Sequence, residues 1–166
     1  MSLSDQEVIA IDKTISYLKE WIHRYLVNKD LIQRKIETMD DSEEDTIIVH
    51  LHEGKKHPHL IVPFMVDIDA ALARLKDHEL CSLVVYNSRQ NLDAVIKSWD
   101  KLIKFKRHFS IYFVNPFSKL DKRWVIFPYT HNLITDRAGL KPGLETLFAA
   151  VEPITKEEVE RIIATG

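Results

Sequence analysis

The hexapeptide CSLVVY, residues 81–86, decides how this chain folds. In a strand, alternate side chains point to opposite faces, and this segment is apolar on both. That is the pattern of a strand covered on each side by helices. FSIYFV (109–114) has the same character. Between the two, Leu92, Val95, Ile96, Trp99, Leu102 and Ile103 recur at helical spacing, with Asn91 placed to cap the helix. A connection of this length permits the right-handed crossover of a parallel β-α-β unit. WVIFPY (124–129) follows after a short loop and is expected to return antiparallel.

Upstream, TIIVHLH (46–52) and HLIVPFM (59–65) read as a tight hairpin, and Ile68, Ala71, Leu72 and Leu75 mark one face of a helix over 67–78. The chain opens with the capping box Ser4-Asp5-Gln6-Glu7 and an apolar stripe at Ile11, Ile15, Leu18, Ile22 and Leu26, which predicts a long amphipathic helix over 5–27. Leu31, Ile32 and Ile36 suggest a shorter second helix. At the other end, a helix near 142–151 precedes a capping box at Thr155-Lys156-Glu157-Glu158. The expected product is an α/β fold in one domain, with a mixed sheet of about five strands and helices on both faces. Residues 1–39 supply N-terminal helices, 46–134 the sheet and its crossovers, and 140–166 the C-terminal helices.

A chain of 166 residues can bury roughly 70% of the surface its unfolded form exposes, so it needs no disulfide or metal to sustain a core. The single Cys81 has no internal partner, and the longest apolar runs, such as LIVPFMV (60–66), are too short to cross a bilayer. A soluble, cytoplasmic protein is the expectation. The net charge of −2 hides an asymmetry: ETMDDSEED (37–45) holds six acids and no base, whereas residues 97–123 hold eight Lys or Arg against Asp100 and Asp121. Lys97, Lys101, Lys104, Arg107 and Lys122 could together bind a polyanion or nucleic acid, although Lys97, Lys101 and Lys104 also fit a solvated helix face.

HLHEGKKHPH (50–59) concentrates four of the eight histidines. With Gly54-Lys55 as a two-residue turn, paired residues sum to 109, His52 faces His57 and His50 faces His59. All four imidazoles then share one side, close enough for three or four nitrogens to converge on zinc or another borderline metal. The alternative is a half-solvated hairpin, with Pro58 marking an edge strand.

Ligands of open sheets gather beyond the carboxyl ends of parallel strands. Here those ends supply Asn87, Ser88 and Arg89, faced by Asn115 and Ser118, with Arg123 at the same edge; together they form a candidate anion site. No glycine-rich phosphate loop accompanies them. The order hairpin, helix, strand, helix, strand resembles the restriction-endonuclease core, whose signature is an acid on one strand and Glu-x-Lys on the next. LVVYNSR (83–89) supplies neither, and Asp67 and Asp69 fall beyond a strand end. The resemblance implies at most a degenerate, nucleic-acid-associated relative.

Other catalytic constellations are thin. Cys81 with His78 spans a helix-to-strand junction and reads as a core residue. His131 could act as a base oriented by Asp136, and otherwise as a loop histidine. A binding or interaction module without catalysis is the leading expectation, and the long first helix and edge hairpin suggest a homo-oligomer.

Overall fold

The computed structural model describes the backbone of residues 3–165 and the side chains of 13–105 and 108–165. The side chains of the Ser4–Glu7 capping box, Ile11, Lys106 and Arg107 lie outside those residues. The elements run α1 (Leu3–Gln33), β1 (Ile36–Asp40), β2 (Thr46–Leu51), β3 (Lys56–Ile61), α2 (Ile68–Leu75), β4 (Cys81–Tyr86), α3 (Arg89–Lys97) and α4 (Trp99–Leu102). A 3-10 turn (Ile103–His108), β5 (Phe109–Val114), β6 (Arg123–Ile126), α5 (Pro128–Ile134), α6 (Arg137–Ala150) and α7 (Lys156–Thr165) complete the chain.

The six strands lie side by side in chain order, antiparallel from β1 to β3, parallel from β3 to β5, and antiparallel again at β6. Every residue of β4 and β5 is buried. Cys81, Leu83 and Val85 of β4, with Phe109, Ile111 and Phe113 of β5, point into a core closed by α2, α3, α4 and α6. Val84, Tyr86, Tyr112 and Val114 point the other way, under Leu18, Ile22 and Leu26 of α1 and Val159 and Ile163 of α7. Both crossover helices, α2 and α3, therefore cover the same face, as successive crossovers of one hand require. The Tyr86 hydroxyl donates to the Thr14 carbonyl of α1 at 2.9 Å, satisfying the one polar atom that its buried ring carries.

Three expectations are corrected. The short second helix does not form: α1 continues to Gln33, and Ile36–Asp40 becomes β1, the sixth strand, paired with β2. The hairpin is consequently interior, and Pro58 does not mark an edge. Leu51 and Ile61 donate backbone N–H bonds to Lys55 and Asp45, so odd-numbered residues of β3 face β2 and the Pro58 nitrogen faces the other side. Pairing with β4 starts only at His59, so the missing donor costs no ladder bond. The helix after β4 starts three residues earlier than a cap at Asn91 implies, because Ser88 accepts the Asn91 N–H at 3.1 Å, and it breaks at Ser98 before resuming as α4.

The acid-rich connection after β1 is tied down from both layers. Lys19 of α1 donates to the carbonyls of Asp41 (2.7 Å) and Glu43 (2.5 Å), and Arg74 of α2 grips Asp45 through two bonds of 2.6 and 3.0 Å. The Arg74 guanidinium holds the Asp45 carboxyl below the usual carboxylate range. At α7 the capping box forms as its sequence predicts, with the Glu158 N–H donating to Thr155 Oγ1 and the Thr155 hydroxyl donating to Glu158 Oε1.

Ile22 has no exposed surface and sits where α1 meets the sheet. Ile22→Ala should lower the unfolding free energy by about 2–5 kcal/mol through lost transfer and cavity formation, read from the urea midpoint.

Candidate functional site

Beyond β4 and β5, the polar residues that the sequence brings together are indeed neighbours, but their polar atoms are taken up by the protein itself. Asn87 donates through Nδ2 to the carbonyls of Phe148 (3.2 Å) and Val151 (3.0 Å), and its Oδ1 accepts Trp124 Nε1–H at 2.8 Å. Asn91 accepts the Met65 N–H and donates to the carbonyls of Pro63 and Tyr86, all at 2.8 Å. Asn115 accepts the Phe117 N–H and donates to the Glu152 carbonyl at 2.8 Å, while Ser118 Oγ accepts the Leu120 N–H. Arg89 pairs with Glu145 at 2.5 Å and lies 4.6 Å from the centre of the Phe148 ring. The connection from α6 to α7 is thus seated over the strand ends, held by side-chain amides that bridge its carbonyls. Arg123 is not part of this group; it projects to the α1 side, with its guanidinium 4.6 Å from the centre of the Tyr25 ring.

The histidine hairpin takes a different register. Observed pairs include Ile47 with His59, Val49 with His57, and His50 with Lys56, so partners sum to 106 and not 109. The cause is the turn. His52-Glu53-Gly54 forms a three-residue loop in which the Gly54 N–H donates to the Leu51 carbonyl, and Gly54 takes φ +81° as the last loop residue. Glycine supplies the left-handed conformation of a turn followed by a bulge, where a two-residue turn would have used it first. An odd shift in register inverts the facing of one strand relative to the other. His57 and His59 share the face of Ile47 and Val49, under α1, while His50 takes the opposite face and His52 leaves the strand. The four imidazoles therefore do not converge on one ion, and among the described residues no group of three or more His, Cys, Asp or Glu side chains could hold a metal.

His57 and His59 instead form a polar seam inside the sheet. Their rings stack at 4.3 Å, and His57 Nε2 lies 2.8 Å from Ser82 Oγ, itself 2.7 Å from Ser110 Oγ. His59 Nδ1 lies 3.1 Å from the His57 carbonyl. Burial pushes the His57 pKa down to about 4, helped by the nearby charges of Lys29 and His108, and burial also holds His59 well below 6.5. Both rings are neutral at pH 7, and the two serines of the seam, Ser82 beside His57 and Ser110 beyond it, are fully or almost fully buried.

An aromatic cleft lies along one edge of α1. Tyr17, Trp21, Tyr25 and Asn28, spaced along one edge of the helix, face Pro116, Phe117 and Lys122 of the β5–β6 connection across a cleft of about 380 Å³. Trp21 and Tyr25 stack at 5.3 Å with planes 8° apart, and Tyr17 meets Phe117 at 5.6 Å. Arg123 caps the Tyr25 ring, Lys29 approaches it at 6.0 Å, and Arg24 pairs with Glu20 at 2.5 Å on the rim. These contacts place positive charge beside half-buried aromatic rings, with Tyr17 the most exposed of the four. A neighbouring depression bordered by Ser16, Lys19, His23 and Asp41 has no Phe, Tyr or Trp among its described lining residues, and its lysine is committed to the acidic connection.

The sequence signal for this cleft was present and unread: Tyr17, Trp21 and Tyr25 recur every fourth residue, one position ahead of the core stripe Leu18, Ile22 and Leu26. Phe117 had no signal, since only the fold brings it to α1.

Remaining candidates are structural. Asp67 caps α2 by accepting the Asp69 and Ala70 N–H groups, and Asp69 pairs with Lys101 at 2.9 Å, so neither contributes to a nuclease-like carboxylate pair. His131 belongs to α5 rather than a loop, with its ring against Trp99 and an enclosed Nε2 lacking a hydrogen-bond partner; Asp136 caps α6 by accepting the Gly139 N–H. Cys81 is buried, and burial pushes its thiol up to about 11. Comparison with known protein families, curated proteins and solved structures returns no match.

The histidine seam makes stability acid-sensitive. The unfolded chain takes up a proton near pH 6.5 that folded His57 refuses until about pH 4, so stability is full above 6.5 and falls as pH drops through that window. At about 1.4 kcal/mol per pH unit, His57 alone removes about 3 kcal/mol by pH 4. Urea midpoints at pH 7, 6 and 5 should decline accordingly, and His57→Gln, which cannot titrate, should flatten the decline. Asn87→Leu strands two carbonyls and the Trp124 indole N–H, and should destabilise by about 2–4 kcal/mol in the same assay.

Proposed function

We propose that this chain is a binding domain without catalysis of its own, and that its ligand sits in the cleft between α1 and the β5–β6 connection. One contrast carries this reading. The polar side chains beyond the parallel strands are turned inward onto α6 and its exit, whereas Tyr17, Trp21, Phe117, Arg24 and Lys122 line a cleft that stands open to solvent. Rings beside cations, with Asn28 as a neutral donor and acceptor, suit a ligand that offers flat unsaturated groups together with negative charge. Among the described residues that line the cleft there is no nucleophile beside a base; the ionisable ones are Tyr17, Glu20, Arg24, Tyr25 and Lys122. Binding and orientation are what such a set can do.

The rim is built on a rigid scaffold. Leu18, Ile22 and Leu26 anchor α1 to the sheet, and Tyr25 reaches down to Tyr112 of β5 with ring centres 5.9 Å apart. The β5–β6 connection is fixed at its start by Asn115, whose amide spans Phe117 and Glu152. A ligand would meet a preformed surface, which lowers the entropic cost of binding.

A fragment screen followed by 15N NMR tests the location. The chain has three tryptophans, of which Trp99 and Trp124 are buried, so the Trp21 indole signal is separable. Hits should shift Trp21, Asn28 and Phe117 together. Consistent shifts at Asn87–Asn91 with a silent Trp21 would move the site to the strand ends and end the cleft proposal.

A further inference from the structure

Resting on the cleft being the binding site, we infer that its ligand is a single-stranded nucleic acid. Tyr17, Trp21 and Tyr25 lie one helical turn apart, which advances each ring by about 6 Å along α1. Stacked bases in a duplex rise only about 3.4 Å per nucleotide along the axis, so rings at this wider interval match bases of an extended, unstacked strand. The rings also form two platforms, the Trp21–Tyr25 stack and the tilted Tyr17–Phe117 pair, on which successive bases can rest by their faces. Positive charge flanks both: Lys122 lines the cleft, and Arg123 and Lys29 sit at Tyr25. Glu20 is the acid among the lining residues, and Arg24 neutralises it. Stacking together with phosphate contacts would select strandedness more than sequence.

The test uses the whole chain with fluorescein-labelled oligothymidylate, oligouridylate and a DNA duplex, followed by anisotropy. Single strands should bind more tightly than the duplex, and affinity should fall with salt at a log–log slope of about −2, for roughly three phosphates neutralised. The two single strands separate DNA from RNA preference. Tyr17→Ala should weaken binding by about fivefold to a hundredfold, the range for one lost stacking partner. Lys122→Glu should weaken it and reduce the salt slope by about 0.7 or more. Both replace exposed side chains, and circular dichroism checks that the fold persists.

Single-strand affinity weaker than about 100 µM at physiological salt, the weak end of non-specific binding, would overturn the inference. So would a duplex preference, or indifference to both substitutions. If oligonucleotides fail while an acidic, aromatic-rich peptide shifts the Trp21 indole signal, the ligand class falls and the cleft stands. If neither moves that signal, both fall together.

Discussion

A strand pair with no polar face must be roofed twice. β4 and β5 bury every side chain they carry, so helices are required above and below them, and the layout of the molecule follows. The two crossovers place α2 and α3 on one side, which leaves the opposite side to whatever the chain has outside the crossovers. α1 and α7, from opposite ends of the described chain, meet there. Because α1 is anchored by one stripe across β2, β3 and β4, its adjacent edge becomes one wall of the cleft. The other wall is the connection leaving β5, so the same strand that demands the roof also supplies the groove beside it.

The parts of the fold legible in sequence were those with a strong period or a two-faced apolar run: α1, the hairpin strands, α2, β4, β5 and the capped α7. What failed was local and chemical. Ile36 and Met39 sit in a short stretch rich in acid and Thr, with too few apolar positions to separate strand from loop, and β1 exists because β2 offers it an open edge. Gly54 marked a turn correctly but not its length. Whether glycine stands first or last in a hairpin loop depends on which residue must take a positive φ, and the local sequence permits both. That single ambiguity decided where four histidines point.

The candidate site was legible in its ingredients and not in its location. Asn87 and Asn115 looked like ligand-binding amides because strand ends usually need them, yet each found carbonyls within the protein once the α6–α7 connection arrived overhead, and Asn91, read as a helix cap, bonds instead to the backbone of Pro63, Met65 and Tyr86. A buried amide bonded at both ends is a fastener, and sequence cannot say which amides will be buried. The aromatic edge of α1 was readable as a second period beside the core stripe. Its meaning depended on Phe117 and Lys122, which approach only through the sheet.

Cys81 shows a consequence of the double roof. Its sulfur lies inside the core, its thiolate form is disfavoured, and it is the one thiol in the chain. Alkylating or oxidising agents act on thiolate, so the folded molecule presents them with nothing to attack. Any modification of this sulfur must wait for β4 to be uncovered, and the rate at which a maleimide consumes it would clock the opening of the sheet's centre.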